Sequence, residues 1–170
     1  IVEHICNLLQ DKNPSDDAGA TPFWLAASSG SEDIVSFYTE ILDNPNPKTI
    51  YPEHRNCRTP LQTPLHHAAS YGQLSIVQHI CNLLQDKNPI DDDGFTPFEI
   101  AACSGHLNIV SFYTEKLGNP NPKRSCTENR KQFNGRTPLH IAAQCGQLSV
   151  VQQICNLLQD KNPSDDDGYT

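Results

Sequence analysis

The sequence predicts an all-α solenoid of stacked helix pairs with projecting hairpin or loop fingers, and three observations lead there. The decapeptide ICNLLQDKNP is written three times, beginning at Ile5, Ile80 and Ile154. Four Thr-Pro pairs each open a short stretch that ends in glycine: TPFWLAASSG from Thr21, TPLHHAASYG from Thr63, TPFEIAACSG from Thr96 and TPLHIAAQCG from Thr137. Behind each glycine, apolar residues recur at intervals of three and four. Self-similarity of this kind marks a repeat architecture, in which a unit buries its apolar face only against its neighbours.

The Thr-Pro pairs lie 42, 33 and 41 residues apart, and two kinds of unit alternate. Type A reads TPLHxAAxxGQLSxVQxICNLLQDKNP; type B reads TPFxxAAxSGxxxIVSFYTExLxNPNP. In chain order, residues 1–14 read as the second helix of a truncated unit and 15–47 as a type B unit. Residues 48–62 are a basic inserted loop, 63–89 a type A unit and 90–122 a second type B unit. Residues 123–136 form another basic loop, 137–163 a second type A unit, and 164–170 the start of a further repeat. The chain holds no methionine and begins inside a unit, which reads as part of a longer array.

Local chemistry justifies each element. Thr63, Thr96 and Thr137 suit a helix N-cap, with Pro64, Pro97 and Pro138 at the first helical position, where a missing N–H costs nothing. Thr96 followed by Glu99 is a capping box. The first helix is about two turns long, and its paired alanines (Ala68-Ala69, Ala101-Ala102, Ala142-Ala143) allow close packing. Gly72, Gly105 and Gly146 end it in the left-handed region. A second, amphipathic helix follows, with Ile76, Val77, Ile80, Cys81 and Leu84 on one face. Pro89 is expected to stop it, after an extension by most of a turn through Leu84-Gln85. Asp93-Gly94 and Asn134-Gly135 are expected to form tight hairpin turns.

With these motifs laid out, the chain resembles an ankyrin-repeat array over nearly all of its length. The pattern G-x-T-P-L-H-x-A-A-x-x-G-x-x-x-I/V-V carries only single departures in each unit. One is Leu61, which stands where a hairpin glycine belongs. The resemblance implies a curved stack of helix pairs with projecting fingers and a protein-binding concave face.

Composition narrows the function. With 36% hydrophobic residues and a mean hydropathy of -0.53 the chain is polar, yet its apolar residues are ordered. A net charge of -8 argues against nucleic acid as a partner. The longest apolar run is far too short to insert in a membrane. Of the seven cysteines, Cys6, Cys81 and Cys155 occupy one repeat position, so duplication rather than a disulfide plan sets their spacing. That reading places the protein in a reduced, intracellular, cytoplasmic setting.

No catalytic, cofactor or metal site is expected. His66 and His140 read as hydrogen-bonding residues at helix starts, and Trp24 takes that place in the first type B unit. Cys103 and His106 have metal-like spacing but are only two ligands. Asp91-Asp92-Asp93-Gly94 lacks the alternating ligands of a calcium loop and reads as a solvated turn. The chain therefore reads as a non-catalytic scaffold that binds another protein, or as the regulatory or anchoring segment of a larger enzyme, channel or ubiquitin-ligase adaptor.

The resemblance places partner contacts at the fingertips and on the exposed part of helix one. The residues carried over include Tyr71, Asp92, Asp93, Phe95, Phe133, Arg136 and Gln144, and Cys103 and Cys145 on the helix-one row, with Tyr71, Phe95 and Arg136 foremost because aromatics and arginine dominate interfaces. A second expectation comes from charge. The two inserted segments hold eight of the twelve Lys/Arg (Lys48, Arg55, Arg58, Lys123, Arg124, Arg130, Lys131, Arg136) against two acids, Glu53 and Glu128. They would form a paired basic edge suited to an acidic protein segment.

Overall fold

Among the described residues, the Thr-Pro pairs at Thr21, Thr63, Thr96 and Thr137 each start a helix, and the glycine that follows ends or flanks it. The computed structural model describes residues 11–17, 19–47, 63–91, 94–123, 135–158, 164 and 168. Among them are eight helices and no strand. The short helices are α1 (Pro22–Ser29), α3 (Pro64–Ser70), α5 (Pro97–Ser104) and α7 (Pro138–Gln144). The longer ones are α2 (Glu32–Ile41), α4 (Leu74–Leu83), α6 (Leu107–Leu117) and α8 (Leu148–Leu157). The short helices pack in sequence as an inner row and the longer ones as an outer row.

The capping chemistry accounts for the starts. Thr21 and Thr96 accept the backbone N–H of Trp24 and Glu99, each at 3.2 Å. Glu99 returns the favour through Oε2, which accepts the Thr96 N–H at 3.0 Å and closes the expected box. Histidine does the same work in type A units: Nδ1 of His66 and of His140 lies 2.7 Å from Oγ1 of Thr63 and Thr137. Gly30 and Gly105 are the C-caps of α1 and α5, both at φ 80°, a conformation that a side chain would strain.

The core runs the length of the stack, so no unit stands alone. Phe23, Val35 and Tyr38 of the first unit join Leu65, Ile76 and Ile80 of the second, and the same cluster continues to Val150 and Ile154. Type B units carry their bulk as a stacked pair. Phe23 lies on Tyr38 and Phe98 on Tyr113, each at 5.5 Å between ring centroids and 14° between planes. The slimmer type A unit offers Cys81 at that level. The Tyr113 hydroxyl donates to Cys81 Sγ at 3.4 Å, while the thiol is directed at the Lys87 carbonyl. Burial pushes both the Cys81 thiol and the Tyr113 phenol up from their ordinary pKa values.

The structure corrects the expected extension of the outer helix. α4 stops at Leu83, and Leu84 turns extended at φ -87° and ψ 149°. Pro89 comes too late to be the cause. The end is satisfied locally: the Lys87 ammonium donates to the Leu84 carbonyl, and Leu84 packs back on the core. Leu158 repeats this turn after α8. Without a further helical turn, the Leu-Gln dipeptide begins the path to the next unit.

The fingers are closed by aspartate. Asp91 N–H donates to the Phe95 carbonyl at 2.8 Å, Gly94 N–H donates to the Asp91 carbonyl at 3.0 Å, and Asp91 Oδ1 accepts the Phe95 N–H at 2.7 Å. Asp16 builds the same turn against Ala20 in the first unit. Gly94 supplies the positive φ, 77°, that the loop demands. Asn134 lies outside the described residues, and Gly135 has φ 72°.

Candidate interaction surface

Two sets of side-chain bonds lock each inner helix to its predecessor and so set the spacing of anything displayed on that row. In the first set, an asparagine just ahead of a proline reaches into the next unit. The Oδ1 of Asn13, Asn46, Asn88 and Asn121 accepts the backbone N–H of Phe23, Leu65, Phe98 and Leu139, at 3.0, 3.0, 3.1 and 2.9 Å. In the second, the residue after the glycine reaches back. Gln73, His106 and Gln147 donate through Nε2 to the carbonyls of Ser28, Ser70 and Cys103, at 3.1, 2.8 and 2.8 Å. His66 adds a third contact, from Nε2 to the Phe95 carbonyl at 3.1 Å. Because Nδ1 of His66 faces the Thr63 N–H, the proton sits on Nε2.

Rungs across the outer row complete the frame: Thr39 with His79, Lys116 with Asn82, and Gln153 with Ser111. Several histidine, glutamate and cysteine side chains are thus committed to architecture. His66, Glu99 and Cys81 are buried in caps and core, and His106 serves a backbone carbonyl.

The displayed residues lie at the C-terminal ends of the inner helices. Tyr71, the residue that caps α3, is 58% exposed. Gln144, at the end of α7, is exposed and its Oε1 accepts from Arg136 Nη1 at 2.9 Å. Ser29 and Ser104 line the same row in the first and third units. Leu25, one turn earlier, is 51% exposed. Phe95 is only half-buried, held by both of its backbone groups within the finger. Lys123 is exposed. Asp92, Asp93, Phe133, Lys48, Arg55, Arg58, Arg124, Arg130 and Lys131 lie outside the described residues.

One bond on this row was not foreseen. Cys103 and Cys145 form a disulfide that joins the ends of α5 and α7, with 5.3 Å between their Cα atoms. The expectation of unlinked cysteines therefore fails at this pair, while Cys81 remains a buried thiol. The repeat frame explains the link. Cys103 and Cys145 are neighbouring positions in successive units, and stacking brings them within bonding reach although 42 residues separate them.

A second unforeseen pair is Trp24 against His67, at 4.4 Å between ring centroids and 64°. Both ring nitrogens of His67 and the Trp24 indole nitrogen are buried without a hydrogen-bond partner. Desolvation, with the neighbouring His66 adding to it, lowers the His67 pKa to about 4.

Helix pairs stacked through a shared core, bonded across each junction and displaying one row of inner-helix ends, define a repeat solenoid of the kind that mediates protein–protein interaction. A family model described as ankyrin repeats (3 copies) matches residues 47–124, and a single ankyrin-repeat model matches residues 134–167. The chain belongs to the ankyrin-repeat family. It is 33% identical over 106 residues to alpha-latrotoxin-Lg1a of Latrodectus geometricus, a match covering 62% of this chain and 7% of that protein. It is 43% identical over 51 residues to the phosphate system positive regulatory protein of Saccharomyces cerevisiae, covering 29% of this chain and 4% of the relative. It is 40% identical over 55 residues to the 26S proteasome non-ATPase regulatory subunit 10 of Dictyostelium discoideum, covering 32% and 24%. The chain thus spans at most a quarter of the length of these relatives. Among the described residues, no helix is long and apolar enough to cross a membrane.

Proposed function

We propose that the array is a non-catalytic scaffold that binds a protein partner through its fingertips and the exposed ends of its inner helices. The observation that carries this reading is Tyr71: a large aromatic left 58% exposed on a row whose neighbours are fixed by hydrogen bonds on both sides. A rigid aromatic on a preorganised row loses little entropy on binding, which is what an interface anchor requires. The test is photo-crosslinking from position 71, with exposed Gln78 on the outer helix as the comparison. Partner capture from position 71 and not 78 supports the reading, with Tyr71→Ala weakening binding about tenfold or more. Capture from 78 alone overturns it.

A regulatory or anchoring role within a longer protein is the second reading. It draws on two relatives whose names call them regulatory and on the small share of each relative that the chain spans. The basic segments, Lys48 to Arg58 and Lys123 to Arg136, suit an acidic protein segment by their charge alone. Reversing Arg124, Arg130 and Lys131 to glutamate should weaken such binding at low salt; unchanged affinity would reject the acidic partner. We place the protein inside the cell, in the cytoplasm, where the Cys103–Cys145 disulfide would exchange with the thiol pool instead of persisting.

A further inference from the structure

We propose that Cys103–Cys145 is a thiol–disulfide exchange site that latches the recognition row. Three observations carry it. The sulfurs sit on displayed positions: Cys145 is exposed and Cys103 half-buried, so small thiols reach the bond from the Cys145 side. The junction it spans does not need it. The two units are already joined by Gln147, at the start of α8, to the Cys103 carbonyl at the end of α5, and by Asn121, after α6, to Leu139 of α7. The junction between α1 and α3 has the same two bonds, from Gln73 and Asn46, with Ser28 and Tyr71 where the cysteines would stand. A bond that is dispensable at the equivalent junction and open to solvent is suited to reversible use.

The chemistry balances with a small thiol such as glutathione as reductant. Its thiolate attacks Cys145 Sγ, the S–S bond breaks with its electron pair on Cys103 Sγ, and a mixed disulfide forms at Cys145. A second thiolate attacks the glutathione sulfur of that mixed disulfide, releasing glutathione disulfide and the Cys145 thiolate. Two protons from water complete two protein thiols. Closed, the latch fixes the ends of α5 and α7 beside Ser104 and Gln144. Open, it frees the α7–α8 unit to move about its hydrogen bonds and places two thiols on the row. The control of binding rests on the proposed recognition surface, whereas the exchange and its effect on α7 and α8 do not.

The test equilibrates the chain in glutathione buffers of varied reduced-to-oxidised ratio. It reads Cys103 and Cys145 by alkylation and peptide mapping, and the helices by hydrogen exchange. Both cysteines should convert together. Reduction should speed exchange in α7 and α8 several-fold, leave α3 and α4 unchanged, and lower the melting temperature by about 5–10 °C. The pair Cys103→Ser with Cys145→Ser should match reduced wild type in every buffer. Labelling of both cysteines in oxidised glutathione, loss of protection throughout the array on reduction, or closed-state protection in the double variant would each overturn the latch. Absence of crosslinking from position 71 would remove only the recognition reading.

Discussion

The carboxamide oxygen of Asn121 accepts the backbone N–H of Leu139, 18 residues later, at 2.9 Å. Asn121 is itself held, because its own N–H donates to Asn119 Oδ1 at 2.9 Å. The same paired arrangement recurs at Asp11 and Asn13, Asn44 and Asn46, and Asp86 and Asn88. Asn121→Ala should cost about 1–3 kcal/mol, because the Leu139 N–H is left buried without an acceptor. Asn121→Asp keeps the oxygen and should lose less than half of that. Urea denaturation of the two variants checks the pair; equal losses would mean that packing rather than the bond is at stake.

Gly105 has two reasons to be glycine and Gly94 only one. Both sit at positive φ, 80° and 77°. A Cβ on Gly105 would come within 2.6 Å of Gln147 Oε1, whereas one on Gly94 would meet nothing within 4 Å. Gly94→Ala should therefore cost about 1 kcal/mol from backbone strain alone. Gly105→Ala should cost about 2 kcal/mol, since Gln147 must also leave the Cys103 carbonyl. Combining Gly105→Ala with Gln147→Ala should cost less than the sum of the single changes. Strict additivity in a double-mutant cycle would dissociate the two residues.

These relationships show where the sequence was legible. Cap chemistry sufficed for the Thr63, Thr96 and Thr137 helix starts, because those interactions close within a turn, and the period alone placed the one at Thr21. Pro89 reads as a helix stop, but the recurring Asp/Asn-x-Asn-Pro spelling also signals the clip that Asn88 makes. Gln73, His106 and Gln147, each directly after a glycine, were a similar signal passed over. The Cys103–Cys145 bond could not be read from spacing, since its geometry exists only once adjacent units stack. Of the candidate surface, Tyr71 and Gln144 are exposed, while Phe95 is half-buried and its backbone closes the finger.

The Cys81–Tyr113 contact gives an alkaline signature. Burial raises both groups, so the folded state holds protons that the unfolded chain would release. Stability from this pair is full below the thiol's ordinary range and declines as pH rises through it. Wild type should lose more stability between pH 8 and 10 than Cys81→Ala does, by about 1 kcal/mol. Parallel pH profiles from chemical denaturation would count against a buried thiol as the cause.

His67 sets the acid side. Its folded pKa is about 4 against an ordinary 6.5, so between those values the unfolded chain binds the proton more readily. The stability held by neutral His67 is complete above pH 6.5 and is lost as pH falls toward 4, by on the order of 2–3 kcal/mol. Its neighbours sharpen the effect: Trp24 packs on the ring, His66 adds repulsion once charged, and neither His67 nitrogen has an acceptor to steady a proton. Ile100 and Ile141 hold the equivalent position in the third and fourth units, so isoleucine fits this row. His67→Ile should stabilise the array by about 1–2 kcal/mol at pH 7, because two buried unpartnered nitrogens become apolar surface. It should also flatten the decline between pH 6.5 and 4.5 relative to wild type, leaving only what the carboxylates contribute to both. Denaturation midpoints at those pH values give the comparison, and an undiminished acid sensitivity in His67→Ile would assign the decline to other groups.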